Sequence, residues 1–330
     1  MRKNLLLITP GDPQGIGPEV TWKALEKIGA KLQRRGFQLK VIGARSAFGR
    51  RAQGLESAGV EFVAAPESTS RPELHLGGYQ SGWSIETAAQ LLLQGKGSAL
   101  VTGPISKEHL QAGGYHFNGH TDFLAHLAGR GDVTMMLANS FLRVSLVTVH
   151  NSLSSVPQKV SRESILRCIE HTIAGLQNYW GIKKPRIAIM AMNPHAGEGG
   201  IFGREDIDIL SPAIQSAQVR FKNQASLSGP HPSDTWFALN HLRAPHQRAD
   251  AAIAMYHDQG LIPVKLLDFQ NTVNLSLGLP FLRTSVDHGT AFDIAGKNKA
   301  DPSSMIAALE LAARDSTQRD TTAQKRRVRS

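Results

Sequence analysis

Short apolar runs recur along this chain, and each stops abruptly on Pro, Gly, Asn or His before a segment of helical spacing begins. "NLLLIT" breaks into "PGDPQGIGPE" and then the helical pattern "GPEVTWKALEKI". "FQLKVIG", "SALVTG", "VTMMLAN", "LRVSLVTVH" and "PRIAIMAMN" behave alike, and "ADAAIAMYHDQGLIPVKLL" holds a further strand and a turn. Between them, "SGWSIETAAQLLLQG", "DFLAHLAG", "SRESILRCIEHTIAGLQNYW", "EDIDILSPAIQSA" and "SSMIAALELAAR" space their apolar residues as helices do. Runs apolar on both sides suit strands buried on both faces, which requires helices on both faces of the sheet. The rhythm therefore predicts an α/β protein with a largely parallel or mixed sheet. There is no internal repeat and no low-complexity linker, so any division into two lobes is made by the chain crossing between them.

Composition narrows the class. A chain of 330 residues with 41% hydrophobic and 19% charged residues can form one large or two medium domains with full cores. The opening "MRKNLLLITPGD" is too short an apolar run for a secretory signal, and no stretch reaches the ~20 apolar residues of a membrane span. The single cysteine, Cys168, excludes an intramolecular disulfide, fits a reducing cytoplasm, and falls in a helical pattern as a small core residue. Part of the formal charge of +10 comes from the tail "QKRRVRS", so residues 315–330 are expected to be a disordered basic end. The remaining excess is spread without aromatic interleaving. It fits an anionic small substrate and gives no footprint for nucleic acid or membrane.

In α/β sheets ligands collect beyond the carboxyl ends of strands, and the chemistry-bearing residues fall there. His150, His195 and His257 each follow an apolar run. Neutral imidazoles ligate Zn²⁺ and similar ions, and a three-histidine site with an open position suits Lewis-acid catalysis. Three unrelated histidines bonded to backbone would give the same pattern. Lys107, Lys265 and Arg283 flank strand ends, either as solvated surface or as cations for a phosphate or carboxylate. In "GHTD", His120 and Thr121 open a helix, where Thr121 or Asp122 could be an N-cap or could bond a substrate. "PGDPQGIGPEV" is Gly-x3-Gly-x-Gly, only loosely a phosphate loop; Pro18 suits a first helical turn and Glu19 the positive end of the helix dipole. Asp287 to Met305 reads either as a surface loop or as a nucleotide-binding one.

Taken together, "ITPGDPQGIGPEV", "VTGPISK", "GHTDF", "NPHAGEGGIFGRED", "GPHPSDTWF", "MYHDQGLIPVK" and "RTSVDHGTAFDIAGKNKADPSSM" resemble the 4-hydroxythreonine-4-phosphate dehydrogenase family of vitamin B6 synthesis. The resemblance runs in order from about Leu5 to Leu311. The first and last motifs also resemble the isocitrate and isopropylmalate dehydrogenases. The resemblance implies their two-lobed α/β fold with an inter-lobe cleft: residues 1–130 with about 285–330 in one lobe, about 131–284 in the other, and a cytoplasmic homodimer. It implies that His150, His195 and His257 hold a divalent metal (zinc, magnesium or cobalt), one of them reaching in from the partner subunit. His120, Thr121, Lys265, Asn274 and Arg283 match substrate contacts. His288, Gly289, Thr290, Ala291, Asp293 and Asn298 match the cofactor loop, for NAD or NADP. Gln14 replaces a more usual small residue, and "HNSLSSVP" differs from the commoner "HLPL"; neither removes a ligand.

The implied reaction is metal-assisted oxidation of 4-phosphooxy-L-threonine at its 3-hydroxyl, giving a β-keto acid that loses CO₂ to leave an aminoacetone phosphate. Lys107, His120 and Asp258 are the candidate general bases. Alternatives are a dehydrogenase of erythronate or threonate 4-phosphate or of a cyclic dihydrodiol, and, from another class, a non-catalytic nucleic-acid-binding protein.

Overall fold

Strand β1 (Leu5–Thr9) is buried at every position, as expected of a run that is apolar on both faces. The structure, a computed structural model, describes residues 4–69 and 74–314; the basic tail expected over 315–330 lies outside them. Strands and helices are numbered in chain order. The chain divides into two units, Met1–Val133 with Val273–Ser330, and Thr134–Thr272.

In the first unit β1 pairs in parallel with β2 (Gln38–Gly43) and β4 (Ala99–Thr102), and β2 pairs with β3 (Val60–Ala64). The late strand β11 (Leu282–Ser285) lies parallel to β4, and β10 (Val273–Leu277) runs antiparallel to β11. This returning pair sets the second boundary at Thr272, ahead of the expected position near residue 284. Helices α1 (Gly17–Arg34) and α3 (Leu76–Leu93) lie in this unit. Leu5, Leu7, Ile85, Leu92, Leu100 and Phe123 fill its core. Each such side chain contributes about 1.5–3 kcal/mol when fully buried.

In the second unit β6 (Arg143–Leu146), β9 (Ala251–Ala254), β7 (Arg186–Met190) and β8 (Ser226–His231) run parallel in that order, with β5 (Thr134–Ala138) antiparallel to β6. The long helix Arg162–Trp180 starts on Ser161, whose hydroxyl accepts the Ser164 N–H in a capping box, and ends at Gly181 with φ 68°. It buries Ile165, Cys168, Ile169, Thr172, Ile173 and Leu176, one face at helical spacing.

Three local readings are corrected. The "turn" after "AAIAMY" is a helix, His257–Leu267, disguised by Pro263 in its interior. The segment "EDIDIL" precedes an ordinary helix, Ser211–Arg220, with a π-helical turn over Asp206–Leu210. Strands β3, β8, β10 and β11 have no counterpart among the runs recognised above. Their polar or glycine-bearing sequences, "VEFVA", "SLSGPH", "VNLSL" and "LRTS", hide the apolar signal.

The loops at the ends of β1 and β4 are locked by glycine. Asp12 N–H donates to Pro104 O at 2.9 Å, and Gly103 N–H to Thr9 O at 2.7 Å. A Cβ on Gly17 would lie 1.9 Å from Pro10 O. Gly17→Ala is therefore expected to lose at least the ~1–3 kcal/mol typical of overpacking, read as a lower urea midpoint. A variant as stable as the parent would show that this approach does not constrain the loop.

Candidate active site

The carboxyl end of the first unit's sheet carries a buried cation. Arg283, on β11, is only 2% exposed. Among the described residues no carboxylate is bonded to it. Its Nε and one terminal nitrogen donate to Thr102 Oγ1 at 3.1 and 2.7 Å, and the other donates to Ser276 Oγ at 3.1 Å. Burial pushes its pKa down to about 9. A guanidinium sealed among hydroxyls lacks a counter-charge, and an anionic ligand is the natural one. The same unit holds further unmet polar atoms: His120 Nε2 and Asn274 Oδ1 are sealed from solvent without a hydrogen-bond partner. Burial, and secondarily the Arg283 charge, hold His120 well below the usual imidazole range, so it is neutral.

Helix His120–Leu127 presents this imidazole. Its N-cap is Gly119, with φ 144° and no side-chain cap. Thr121 is thus inside the first turn and is not the cap, and Asp122 instead accepts the Asn118 N–H at 3.0 Å. The helix N-terminus keeps uncapped N–H donors, which favour anions. Lys107 opens the short helix Lys107–Ala112; its Cε lies 3.9 Å from where a Cβ on Gly119 would stand. His120, Asn274 and Arg283 therefore belong to one unit, with Lys107 beside the His120 helix.

The expected cofactor loop is also in this unit. Thr290 O accepts the Ile16 N–H at 2.9 Å. Ala291 and Asn298 adopt positive φ, 40° and 57°, a conformation that side chains other than glycine rarely take. At the far end the buried Glu19 accepts the Ala300 N–H at 2.8 Å, while Lys23 donates to Glu19 at 2.8 Å and to Asn298 O and Ala300 O at 3.1 and 2.9 Å. Glu19 therefore clamps the loop, beyond any service to the helix dipole. A cavity of about 320 Å³ lies between Gln14, Gly15, Trp22 and Ala295, Gly296, Asn298. His288 Nε2 is sealed and unpartnered, Gly289 is open, and the Asp293 carbonyl accepts from Lys297 at 2.6 Å.

The second unit carries the three imidazoles. β6 ends at Leu146, but its ladder with β9 continues as Val147 N–H to Ala254 O and Thr148 N–H to Met255 O, at 2.9 and 3.1 Å. This pairing brings His150 beside His257, with ring centroids 5.7 Å apart. His257 Nδ1 is bonded to Asp258 Oδ1 at 2.7 Å, which fixes the ring and directs Nε2 outward, the usual second partner of a metal-ligating histidine. Asp258 is thus committed to orienting His257. Gln259, unremarked in the sequence, bonds the Met255 N–H, the Ala191 carbonyl and Ser233 Oγ, tying β9 to β7. Lys265, on the same helix as His257, stacks over Phe269 at 5.6 Å.

The His195 ring lies 6.1 Å from that of Phe202. Among the described residues no group of three or more His, Cys, Asp or Glu is arranged to hold a metal ion. Its backbone is unusual: from His195 to Gly199 every φ is positive, at 51°, 54°, 79°, 41° and 67°. Each non-glycine residue there costs roughly 1–2 kcal/mol. The restraint comes from Asp206, 1% exposed. Its carboxylate accepts the N–H groups of Met192 and Asn193 and the Asn193 side-chain amide, at 2.7, 3.0 and 3.0 Å. Only its burial, invisible in "GRED", distinguishes it from a surface acid.

The neutral, buried His120 makes a pH prediction. Its folded pKa lies below the unfolded value of 6.5, so below pH 6.5 the unfolded chain binds a proton that the folded chain does not. Stability must therefore fall as pH drops through that region, by up to ~1.4 kcal/mol per unit. His231, also lowered by burial and Arg243, acts in the same direction. The difference between the parent and His120→Asn in urea unfolding at pH 7.5 and 5.5 isolates His120. An equal slope in both proteins would contradict the assignment.

The family model of the pyridoxal phosphate biosynthetic protein PdxA matches residues 33–312. The 4-hydroxythreonine-4-phosphate dehydrogenase of Desulfosudis oleivorans is 41% identical over 333 residues, spanning 93% of this chain and 95% of that protein. The crystal structure of 4-hydroxythreonine-4-phosphate dehydrogenase from Klebsiella pneumoniae matches with a TM-score of 0.79 at 35% identity, over 94% of this chain and 99% of that one. An isocitrate dehydrogenase from Methylococcus capsulatus, at 16% identity, shares the fold with a TM-score of 0.50 over 94% of this chain and 87% of its own. The chain belongs to the PdxA family of 4-hydroxythreonine-4-phosphate dehydrogenases, built on an isocitrate-dehydrogenase-like α/β fold.

Proposed function

We infer that this chain catalyses the NAD- or NADP-linked oxidation of 4-phosphooxy-L-threonine to 2-amino-3-oxo-4-phosphooxybutanoate, which loses CO₂ to give 3-amino-2-oxopropyl phosphate. The observation that carries the reading is the buried Arg283 with only hydroxyl partners, in the unit that also holds the unpartnered His120 Nε2 and Asn274 Oδ1. That set suits a small phosphorylated or carboxylated ligand.

His120, Thr121, Asn274 and Arg283 bind and orient the anionic substrate, and Lys265 is a further cation for it. A divalent ion (zinc, magnesium or cobalt), when bound, supplies Lewis acidity at the substrate hydroxyl. His150, His195 and His257 would hold it, one of the three reaching in from a second copy of the chain; the rings of His150 and His257 lie 5.7 Å apart and Asp258 is bonded to His257. The loop from His288 to Asn298 would hold NAD or NADP, which when bound would supply the hydride acceptor. His120, neutral and unpartnered at Nε2, and Lys107, beside its helix, are the proton-accepting candidates; Asp258 already bonds His257.

The homodimer has its own support. Ile262 and Leu266, one turn apart on the helix His257–Leu267, are 63% and 84% exposed, and Phe269 just beyond its end is 65% exposed. Large apolar residues left bare along one helix face mark an association surface. No helix among the described residues is long and apolar enough to cross a membrane.

Steady-state kinetics over a panel of 4-phosphooxythreonine, erythronate and threonate 4-phosphates and a cyclic dihydrodiol decides the substrate. The highest kcat/KM is expected for 4-phosphooxythreonine, and a better phosphorylated sugar acid would replace it in the reading. His195→Ala, His150→Ala and His257→Ala are each expected to lower metal content and to reduce kcat at least ~10²-fold, the scale of lost transition-state charge stabilisation. A His195 variant with full metal occupancy and parental kcat would remove that residue from the site. Leu266→Asp is expected to give an inactive monomer in sedimentation, and an active monomer would refute the shared site.

A further inference from the structure

A cluster outside the assigned site joins the loop after β1 to the loop from His288 to Asn298. Asp12 is fully buried. One of its oxygens accepts the Gln14 N–H at 3.0 Å, and the other holds His109 Nδ1 at 2.7 Å. The His109 ring lies between two others: His75, with centroids 4.0 Å apart and planes tilted 31°, and Phe292, at 5.0 Å and 38°. His75 is itself fixed, its Nδ1 accepting the Gly78 N–H at 3.1 Å. Gly78 allows that packing, because a Cβ there would meet the His109 carbonyl oxygen at 1.6 Å. Phe292 is the loop's large apolar side chain and remains 43% exposed.

The loop is therefore held at three places. Backbone bonding through Thr290 and Ile16 fixes its start, and Glu19 with Lys23 fixes its end. In the middle, Lys297 Nζ donates to Asp293 O within the loop, and the Asp12–His109–Phe292 stack adds a side-chain restraint from outside it. Without it, Phe292 would have to be ordered when nucleotide binds, and that entropy would be charged against affinity.

We propose that His109, clamped by Asp12, is a positioning residue for the dinucleotide cofactor, acting through Phe292 to preorganise the loop from His288 to Asn298. The proposal rests on the reading of that loop as the cofactor loop. An aromatic pair is worth roughly a three- to tenfold change in an equilibrium constant. His109→Asn, which keeps a donor toward Asp12 but removes the ring, should raise KM for the nicotinamide nucleotide by about that factor. Phe292→Ala, a change on an exposed side chain, should do the same. Neither should alter kcat at saturating nucleotide, or KM for the phosphorylated substrate, by more than about twofold. Their double variant should be no weaker than the poorer single, as for two halves of one contact, and Phe292→Tyr should behave as the parent.

Amide hydrogen exchange of the parent enzyme, with and without NAD⁺ and NADP⁺, separates the proposal from its premise. Slower exchange over 288–298 with nucleotide is expected. No protection there would overturn the loop reading and the proposal with it. Protection in the parent combined with unchanged nucleotide KM in both single variants would overturn the positioning role alone. Additive losses in the double variant, or a fall in kcat without a change in KM, would also overturn it.

Discussion

A guanidinium sealed inside a sheet is tolerated only if something takes up its charge, and Arg283 has just two hydroxyl side chains to help it. The position follows from topology. β11 lies parallel to β4, so Arg283 falls opposite Leu100 and its side chain reaches Thr102 at the carboxyl end of the neighbouring strand. A structural arginine in that place would be paired with a carboxylate, since burying an isolated charge is among the costliest things a fold can do. Among the described residues Arg283 is thus a buried cation held by hydroxyls alone. His120 responds to the same field: it stays neutral because burial and Arg283 both oppose its charging.

The second unit solves a different problem, that of presenting imidazoles on irregular backbone. His257 and His150 are aligned by ordinary means, a strand ladder and a carboxylate. His195 is carried on a left-handed turn that no helix or strand would support, and Asp206 restrains the residues just before it. Stability surrendered there, and recovered through a buried carboxylate, is a common arrangement at functional positions.

Much of this was legible in the sequence, and the exceptions have physical reasons. Buried parallel strands announce themselves because both faces must be apolar; β1 and β7 were plain. β10 and β11 were not, because Asn274, Ser276, Arg283 and Ser285 place polar residues within the strands and break the hydrophobic pattern. Helix His257–Leu267 was hidden by Pro263. Asp12, Glu19 and Asp206 did not give away their roles, since a carboxylate's work depends on burial and partners far along the chain: Glu19 meets Ala300 and Asp12 meets His109. The pairing of His150 with His257 could be guessed only as two strand ends; their adjacency is set by the β6–β9 ladder.

The discontinuity of the first unit bears on the order in which the molecule is made. β11 enters between β4 and β10, yet it is synthesised after all of the second unit. Until residues 282–285 emerge from the ribosome, the β4 edge has no partner on that side, whereas every strand of the second unit is already present. The nascent chain can finish its inner, inserted half first, and closes the outer half last. The strand that seals that edge is also the one that brings Arg283, so the buried cation is installed in the same event that completes the sheet.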